Sequence, residues 1–382
     1  MRILHVGKYY YPHLGGIETV TRDLSEGLVA HGHDVTVLCY SEDGRSDKET
    51  INGVHVERMS HMGVLASQPL SLSFVKRLIE IANDFDVIHL HSPNPLAELA
   101  LGIMKLRGIL VTTYHCDVVR QKWLLPFYRP FLKRALNKSQ RIVAATQYHV
   151  EYSHTLKDYA HKCDIIPFGI REDALILNEQ GQQLLEDNKN RFGSFLLFVG
   201  RLVPYKGLHI LFEAMQHIEQ KLVIVGRGPE KPALMAYAKE LGIDDRIEFL
   251  GRVEDSNEFA SLLHGCELLV LPSIDKSEAF GMSMVEAMAC GKPVVSTSLE
   301  SGVRFVNADG ETGLQVPPNN AKLLAHAIGK LLSDDLMRSK MGKAARLRFE
   351  SQFQSAEMIN SYLALFESLS EQQKINDLRQ VS

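Results

Sequence analysis

The chain is expected to be an α/β protein of two Rossmann-like domains facing a central cleft. Short apolar strands alternate with helical stretches, the pattern of parallel sheets covered by helices. That alternation occurs twice, and a polar, strand-poor stretch from Arg171 to Gly193 separates the two runs. The first run reads RILHVG, DVTVLCY, DVIHLHS, GILVTTYH, RIVAAT and DIIPFG, ending at Gly169; the second reads FLLFVG, KLVIVG, IEFLG, LLVLPS and KPVVST. The expected organisation is one domain over 1–170, a linker with a short helix over 171–192, a second domain over 193–350 and a last segment over 351–382. In open parallel sheets ligands bind beyond the carboxyl ends of the strands, and each motif below follows a strand.

Composition narrows the function classes. A chain of 382 residues, 45% hydrophobic, is long enough for two domains with separate cores. Its net charge of −4 and pI near 6.5 argue against a general nucleic-acid binder. The five cysteines, Cys39, Cys116, Cys163, Cys266 and Cys290, are scattered and suggest neither a disulfide framework nor a zinc site. The N-terminus MRILHVGKYYYP enters a strand directly, and no apolar run approaches the roughly 18 residues of a membrane span. A cytoplasmic protein is expected, with any membrane contact peripheral.

The first strand is followed by GKYYYPHLGGIE, Gly7 to Glu18, ahead of a helix expected to begin near Thr19. Gly15 and Gly16 allow close backbone approach to a ligand near a helix start, or simply form a tight turn. No G-x-G-x-x-G follows this strand, which weighs against a nicotinamide enzyme. His115 and Asp117 lie in TTYHCDVVRQK, directly after GILVTT. A lone histidine there is either a ligand contact or a satisfied structural group. The segment QKWLLPFYRPFLKRALNK mixes Trp123, Phe127, Tyr128 and Phe131 with Lys122, Arg129, Lys133, Arg134 and Lys138. It suits either an anionic bilayer surface or a packed helix with a solvated basic face; Pro126 and Pro130 blur the periodicity that would separate the two.

In the second run, FLLFVGRLVPYKG supplies Arg201 and Lys206, two cations suited to a diphosphate. Further on, EAFGMSMVE places Glu278 before, and Glu286 about one turn inside, a helix expected from Met282 to Cys290. The first-turn N–H groups after Phe280 and Gly281 would favour an anion. A sugar, a diphosphate and a ribose fit such a groove.

Together these motifs resemble those of retaining glycosyltransferases of the GT-B fold, the large family-four group: the Glu278–Glu286 pair matches its E-x7-E motif and Arg201–Gly207 its GR-x4-KG element. The resemblance spans essentially the whole chain, with the motifs in order. It implies that the first domain binds acceptor, the second binds a nucleotide sugar, and the last helix returns toward the first domain. It also implies that Arg201 and Lys206 grip the donor diphosphate and that Glu278 bonds the sugar hydroxyls. Glu286 would bond the ribose, and Phe280, Gly281 and Met282 would lie at the diphosphate. Gly15 and Gly16 would lie near the phosphates and acceptor, and the stretch Leu250 to Val253 near the base. His115 would contact the transferred sugar, and Asp117 would orient the acceptor or His115. HCDVVRQK is similar to the H-S-D-I-V-x-Q-K form of bacterial O-antigen and capsule mannosyltransferases, with Cys116 in place of serine. The resemblance therefore implies GDP-mannose as donor and a lipid-linked oligosaccharide as acceptor. A UDP-linked galactose, glucose or N-acetylglucosamine remains the alternative, and a nucleotide-sugar-binding protein without activity is a further one. The resemblance places cations of the chain at the diphosphate where other glycosyltransferases use a DxD metal clamp, so neither a metal nor another cofactor is expected.

Overall fold

The computed structural model describes residues 1–13, 15–65, 68–117 and 125–381. They form two compact units, one built from Met1–Gly169 with Ser355–Ser382 and the other from Ile170–Gln354.

The first unit contains β1 (Arg2–Val6), β2 (Asp34–Tyr40), β3 (Asp47–Ile51), β4 (Val54–Met59), β5 (Val64–Leu65), β6 (Gln68–Pro69), β7 (Val87–Ser92), β8 (Ile109–Tyr114), β9 (Arg141–Ala144) and β10 (Cys163–Ile165). Among the described residues, eight of them make one sheet in the order β10-β9-β8-β7-β1-β2-β4-β3, and β5–β6 form a separate hairpin. Pairing in the large sheet is parallel except between β3 and β4. The central strands β7 and β8 are buried along their whole length, as strands covered on both faces are, and their polar residues His89, His91, Ser92, Thr112 and Thr113 are buried with them.

The second unit contains β11 (Phe195–Val199), β12 (Lys221–Val225), β13 (Ile247–Gly251), β14 (Leu268–Leu271), β15 (Val294–Thr297) and β16 (Gly313–Val316), all parallel, in the order β13-β12-β11-β14-β15-β16. Its core gathers Leu196, Phe198, Leu211, Phe212, Ile224, Val270 and Ile328 from strands and covering helices.

Several expectations change. Strands β3, β4, β5, β6 and β16 were not anticipated, because β3 is a charged, exposed edge, DKETI, and β16 only four residues. The Asn52–Gly53 turn between β3 and β4, with φ of 49° and 83°, is a hairpin signal that the apolar-run criterion passes over. DIIPFG is a strand only to Ile165; Pro167 lacks the N–H a ladder needs. The stretch read as a linker carries the helix Glu179–Phe192, which lies inside the second unit, where Asn188 donates to Ser261 Oγ at 2.8 Å. Phe353 ends the helix Asp335–Gln352 in the second unit, while Met358, Tyr362 and Phe366 lie buried on the final helix, Ser355–Val381, in the first. That helix continues past Glu371, where fraying was expected. Among the described residues no helix is long and apolar enough to cross a membrane.

Candidate active site

In the second unit the loops after β11 and β14 are bound to each other. After β11 the chain makes a short 3-10 turn, Pro204–Lys206, and leaves it through Gly207 in the left-handed region, φ 69°. A Cβ on Gly207 would stand 2.1 Å from the Pro272 carbonyl oxygen, so only glycine lets this turn close on the end of β14. The Ile274 N–H donates to the Tyr205 carbonyl at 2.8 Å and holds the same junction. The consequence is an ion pair: Lys206 Nζ lies 2.6 Å from Glu278 Oε2, with both side chains about nine-tenths buried. The Ser273 hydroxyl donates to the same oxygen at 2.8 Å.

Three residues on, Gly281 (φ 84°) starts the helix Met282–Ala289, and no side chain among the described residues caps it. Its Cβ would meet Met284 Cε at 2.5 Å and Leu271 Cδ2 at 3.0 Å, so the sharp entry needs glycine. Glu286 lies on this helix and stays partly accessible. Desolvation pushes its carboxyl up to about 7, while the Lys206 ammonium pulls the other way. Lys206 thus faces two carboxylates beside an open helix N-terminus. The Ser283 hydroxyl in the first turn is buried without a partner among the described residues.

Arg201 is exposed, and its guanidinium makes no hydrogen bond or ion pair among the described residues. Met282 is half-buried, as is Val253 after β13. Phe280 is buried, packed edge-on against Phe353 with centroids 6.0 Å apart, so its side chain belongs to the core. Sequence reasoning passed over Gly226 and Gly228 in the GRGP run after β12. A Cβ on either would stand about 2 Å from a carbonyl, 1.9 Å from Gly200 O and 2.2 Å from Leu202 O respectively. These two glycines let the loop after β12 press on the loop that carries Arg201, and two glycines directly after a strand are a readable signal.

In the first unit, Gly15 has extended φ (−169°) and N-caps a helix that begins at Gly16 rather than near Thr19. His115 closes β8 and is buried, its Nε2 3.0 Å from His91 Nδ1 and its ring stacked on His91 and tilted against Phe168. Burial, with His91 and His149 nearby, holds His115 well below the usual imidazole range, so it is neutral. Its Nδ1 has no partner among the described residues. Asp117 accepts from the Tyr114 hydroxyl at 2.7 Å, the Ser153 hydroxyl at 2.7 Å and the His154 N–H at 3.2 Å, so its contacts here are structural. Lys122 and Trp123 lie outside the described residues, as does the Phe127 side chain. The rest of the basic segment is a helix, Leu125–Lys138, that buries Tyr128, Leu132, Ala135 and Leu136 and exposes Arg129, Lys133 and Arg134.

Two parallel α/β units with ligand-ready loops after their strands define the GT-B class of glycosyltransferases, and the chain is an enzyme of that class. Residues 182–348 match the glycosyl transferases group 1 family and residues 14–174 match Glycosyltransferase Family 4; the chain belongs to this family. It is 33% identical to the O-antigen chain mannosyltransferase C of Escherichia coli over 97% of this chain and 99% of that one. It is 37% identical to the D-rhamnosyltransferase WbpZ of Pseudomonas aeruginosa over 92% of each. The fold matches Anabaena Alr3699/HepE, solved in complex with UDP, with a TM-score of 0.80 at 20% identity over 96% of this chain and 100% of that one.

Proposed function

We propose that this glycosyltransferase moves mannose, with retention, from GDP-mannose to a lipid-linked oligosaccharide in O-antigen or other surface polysaccharide synthesis. The observation that carries the proposal is the Lys206–Glu278 pair at an uncapped helix start, in a chain that resembles the Escherichia coli O-antigen mannosyltransferase along nearly its whole length. D-rhamnose, named in the second relative, is 6-deoxymannose, so both names point to a manno-configured sugar.

In the proposed reaction the bond from the anomeric carbon to the phosphate oxygen breaks, and the acceptor oxygen bonds to the same face of the sugar. The acceptor proton passes to the departing phosphate. Charge grows on the leaving diphosphate, where Arg201, Lys206 and the first N–H groups of the Met282–Ala289 helix offset it. Cations of the chain thereby take the place a metal holds in other transferases, and activity is expected to survive EDTA. Glu278 Oε2 is occupied by Ser273 and Lys206, so Oε1 is the oxygen that accepts from sugar hydroxyls. Glu286 accepts from the ribose hydroxyls, with the base near Val253. In the first unit His115 contacts the transferred sugar, Gly15 and Gly16 lie near phosphate and acceptor, and Asp117 braces the loop after β8 on the acceptor side. The exposed Arg129, Lys133 and Arg134 would meet anionic headgroups at the inner face of a membrane.

The test is thermal stabilisation by GDP-mannose, GDP, UDP and three UDP-hexoses, since a ligand bound only to the native state raises its stability with its affinity. Stabilisation by the guanosine compounds is expected. Selective stabilisation by UDP compounds would overturn the donor.

A further inference from the structure

The interior of the first unit holds a line of hydrogen-bonded polar groups that ends at His115. Tyr362, on the final helix, meets Thr113 Oγ1 at 2.7 Å, and Thr113 meets His89 Nε2 at 2.7 Å. His89 Nδ1 lies 3.0 Å from His5 Nδ1, and His91 Nε2 lies 3.3 Å from that same His5 atom. His91 Nδ1 then reaches His115 Nε2 at 3.0 Å. All six side chains are buried.

The imidazoles are neutral: burial holds His5, His89 and His115 well below the usual range and brings His91 to about 3. A neutral imidazole has one N–H and one lone pair, so the five contacts cannot be assigned independently. Because two nitrogens converge on His5 Nδ1, that atom either accepts from both or divides a single proton between both. If it accepts, His89 donates through Nδ1 and takes the Thr113 proton at Nε2, while Thr113 takes the Tyr362 proton. On the other arm His91 donates through Nε2 and takes the His115 Nε2 proton at Nδ1. Every contact then has its own proton. If His5 Nδ1 donates instead, four protons serve five contacts, one hydroxyl proton near Tyr362 has no acceptor, and the unpartnered His115 Nδ1 becomes a buried, unsatisfied N–H. The first arrangement leaves no hydroxyl proton without an acceptor and no N–H at His115 Nδ1. Its costs are that two donors share the single lone pair of His5 Nδ1 and that the His5 Nε2 proton has no partner among the described residues.

His5, His89 and His91 also lie close enough together to hold a metal ion, but among the described residues no carboxylate or thiolate joins them. A dication there would put uncompensated charge in an apolar interior.

We propose that His5, His89, His91, Thr113 and Tyr362 are positioning residues that lock His115 as the Nε2–H tautomer, so that its Nδ1 acts solely as an acceptor for a hydroxyl of the transferred sugar. The tautomer follows from the network; the identity of the hydroxyl rests on the sugar-transfer reading above. The histidine at this site is therefore neither an acid nor a donor to the leaving group.

Full-length protein with 15N-labelled histidine, observed by long-range 1H–15N correlation and assigned with His115→Gln, tests this without any assay of transfer. The expected spectrum shows His115 Nδ1 unprotonated and Nε2 protonated. His91→Asn, whose amide oxygen sits where Nδ1 was, should keep that tautomer and most of kcat. His91→Leu should mix the tautomers and lower kcat by about 10- to 100-fold with a much smaller change in donor KM. A protonated Nδ1 in the wild type would overturn the proposal whether or not the variants fold. So would zinc retained stoichiometrically through dialysis, because the convergent nitrogens would then be ligands. A correct tautomer in a protein that transfers no sugar would leave the network standing and sink only the reading of function.

Discussion

Glu286 is the group whose chemistry most depends on its surroundings. Its folded carboxyl sits near 7, against 4.5 for the free side chain, so the ligand-free native state binds a proton that the unfolded chain releases. The stability this contributes is fully present below about pH 4.5 and is lost as pH rises through 7. Donor binding runs the other way, because the ionised carboxylate is the better acceptor for ribose hydroxyls. Donor affinity should therefore rise between pH 6 and 8 in the wild type, and Glu286→Gln should bind more weakly with that pH dependence removed. Isothermal titration at several pH values measures both, and a wild type with flat affinity would remove the ribose role. The residue types and their spacing were legible along the chain. That Lys206 and Glu278 close on each other was not, because the contact spans two loops 72 residues apart in sequence, and only the Gly207–Pro272 junction brings them together.

At the scale of single elements, the helix Met282–Ala289 and the strands β11, β12, β14 and β15 could be read from apolar runs alone. Which turns need glycine could not be read, since that depends on what stands opposite each missing Cβ. Gly242 and Gly207 share nearly the same φ, 67° and 69°, yet a Cβ on Gly242 meets nothing within 4 Å and one on Gly207 meets Pro272 O at 2.1 Å. Gly242→Ala should cost only the positive φ, about 1 kcal/mol. Gly207→Ala should cost clearly more and weaken donor binding, since it pushes the Lys206 turn off β14. Urea titration of both variants decides this, and equal losses would show that packing at Gly207 is loose. His89 and His91, two apart in VIHLHS, were a signal of the same kind: period two places both on one face of β7. Their polar types were visible in the sequence, but His5 joins them only through the pairing of β1 with β7.

For the whole molecule, the first unit is assembled from both ends of the chain. Met358, Tyr362 and Phe366 on the final helix are at most 2% exposed. Burial of each such side chain is worth roughly 1.5–3 kcal/mol. Their sum rivals the about 5–15 kcal/mol by which a domain is stable at all. Truncation after Gln354 should thus leave the second unit folded and the first susceptible to protease, and limited proteolysis with mass spectrometry would show it; a protease-resistant first unit would mean the helix is dispensable. The sequence by itself determined the α/β class, the two parallel sheets and the order of the glycine, lysine and glutamate motifs, because apolar periodicity and loop chemistry are local properties of the chain. Only the tertiary structure decided that the last helix completes the first unit, that Lys206 pairs with Glu278, that burial lifts the Glu286 carboxyl and that four histidines meet in one network. Each of these depends on which distant surfaces are brought together and dried, and no stretch of sequence carries that information alone.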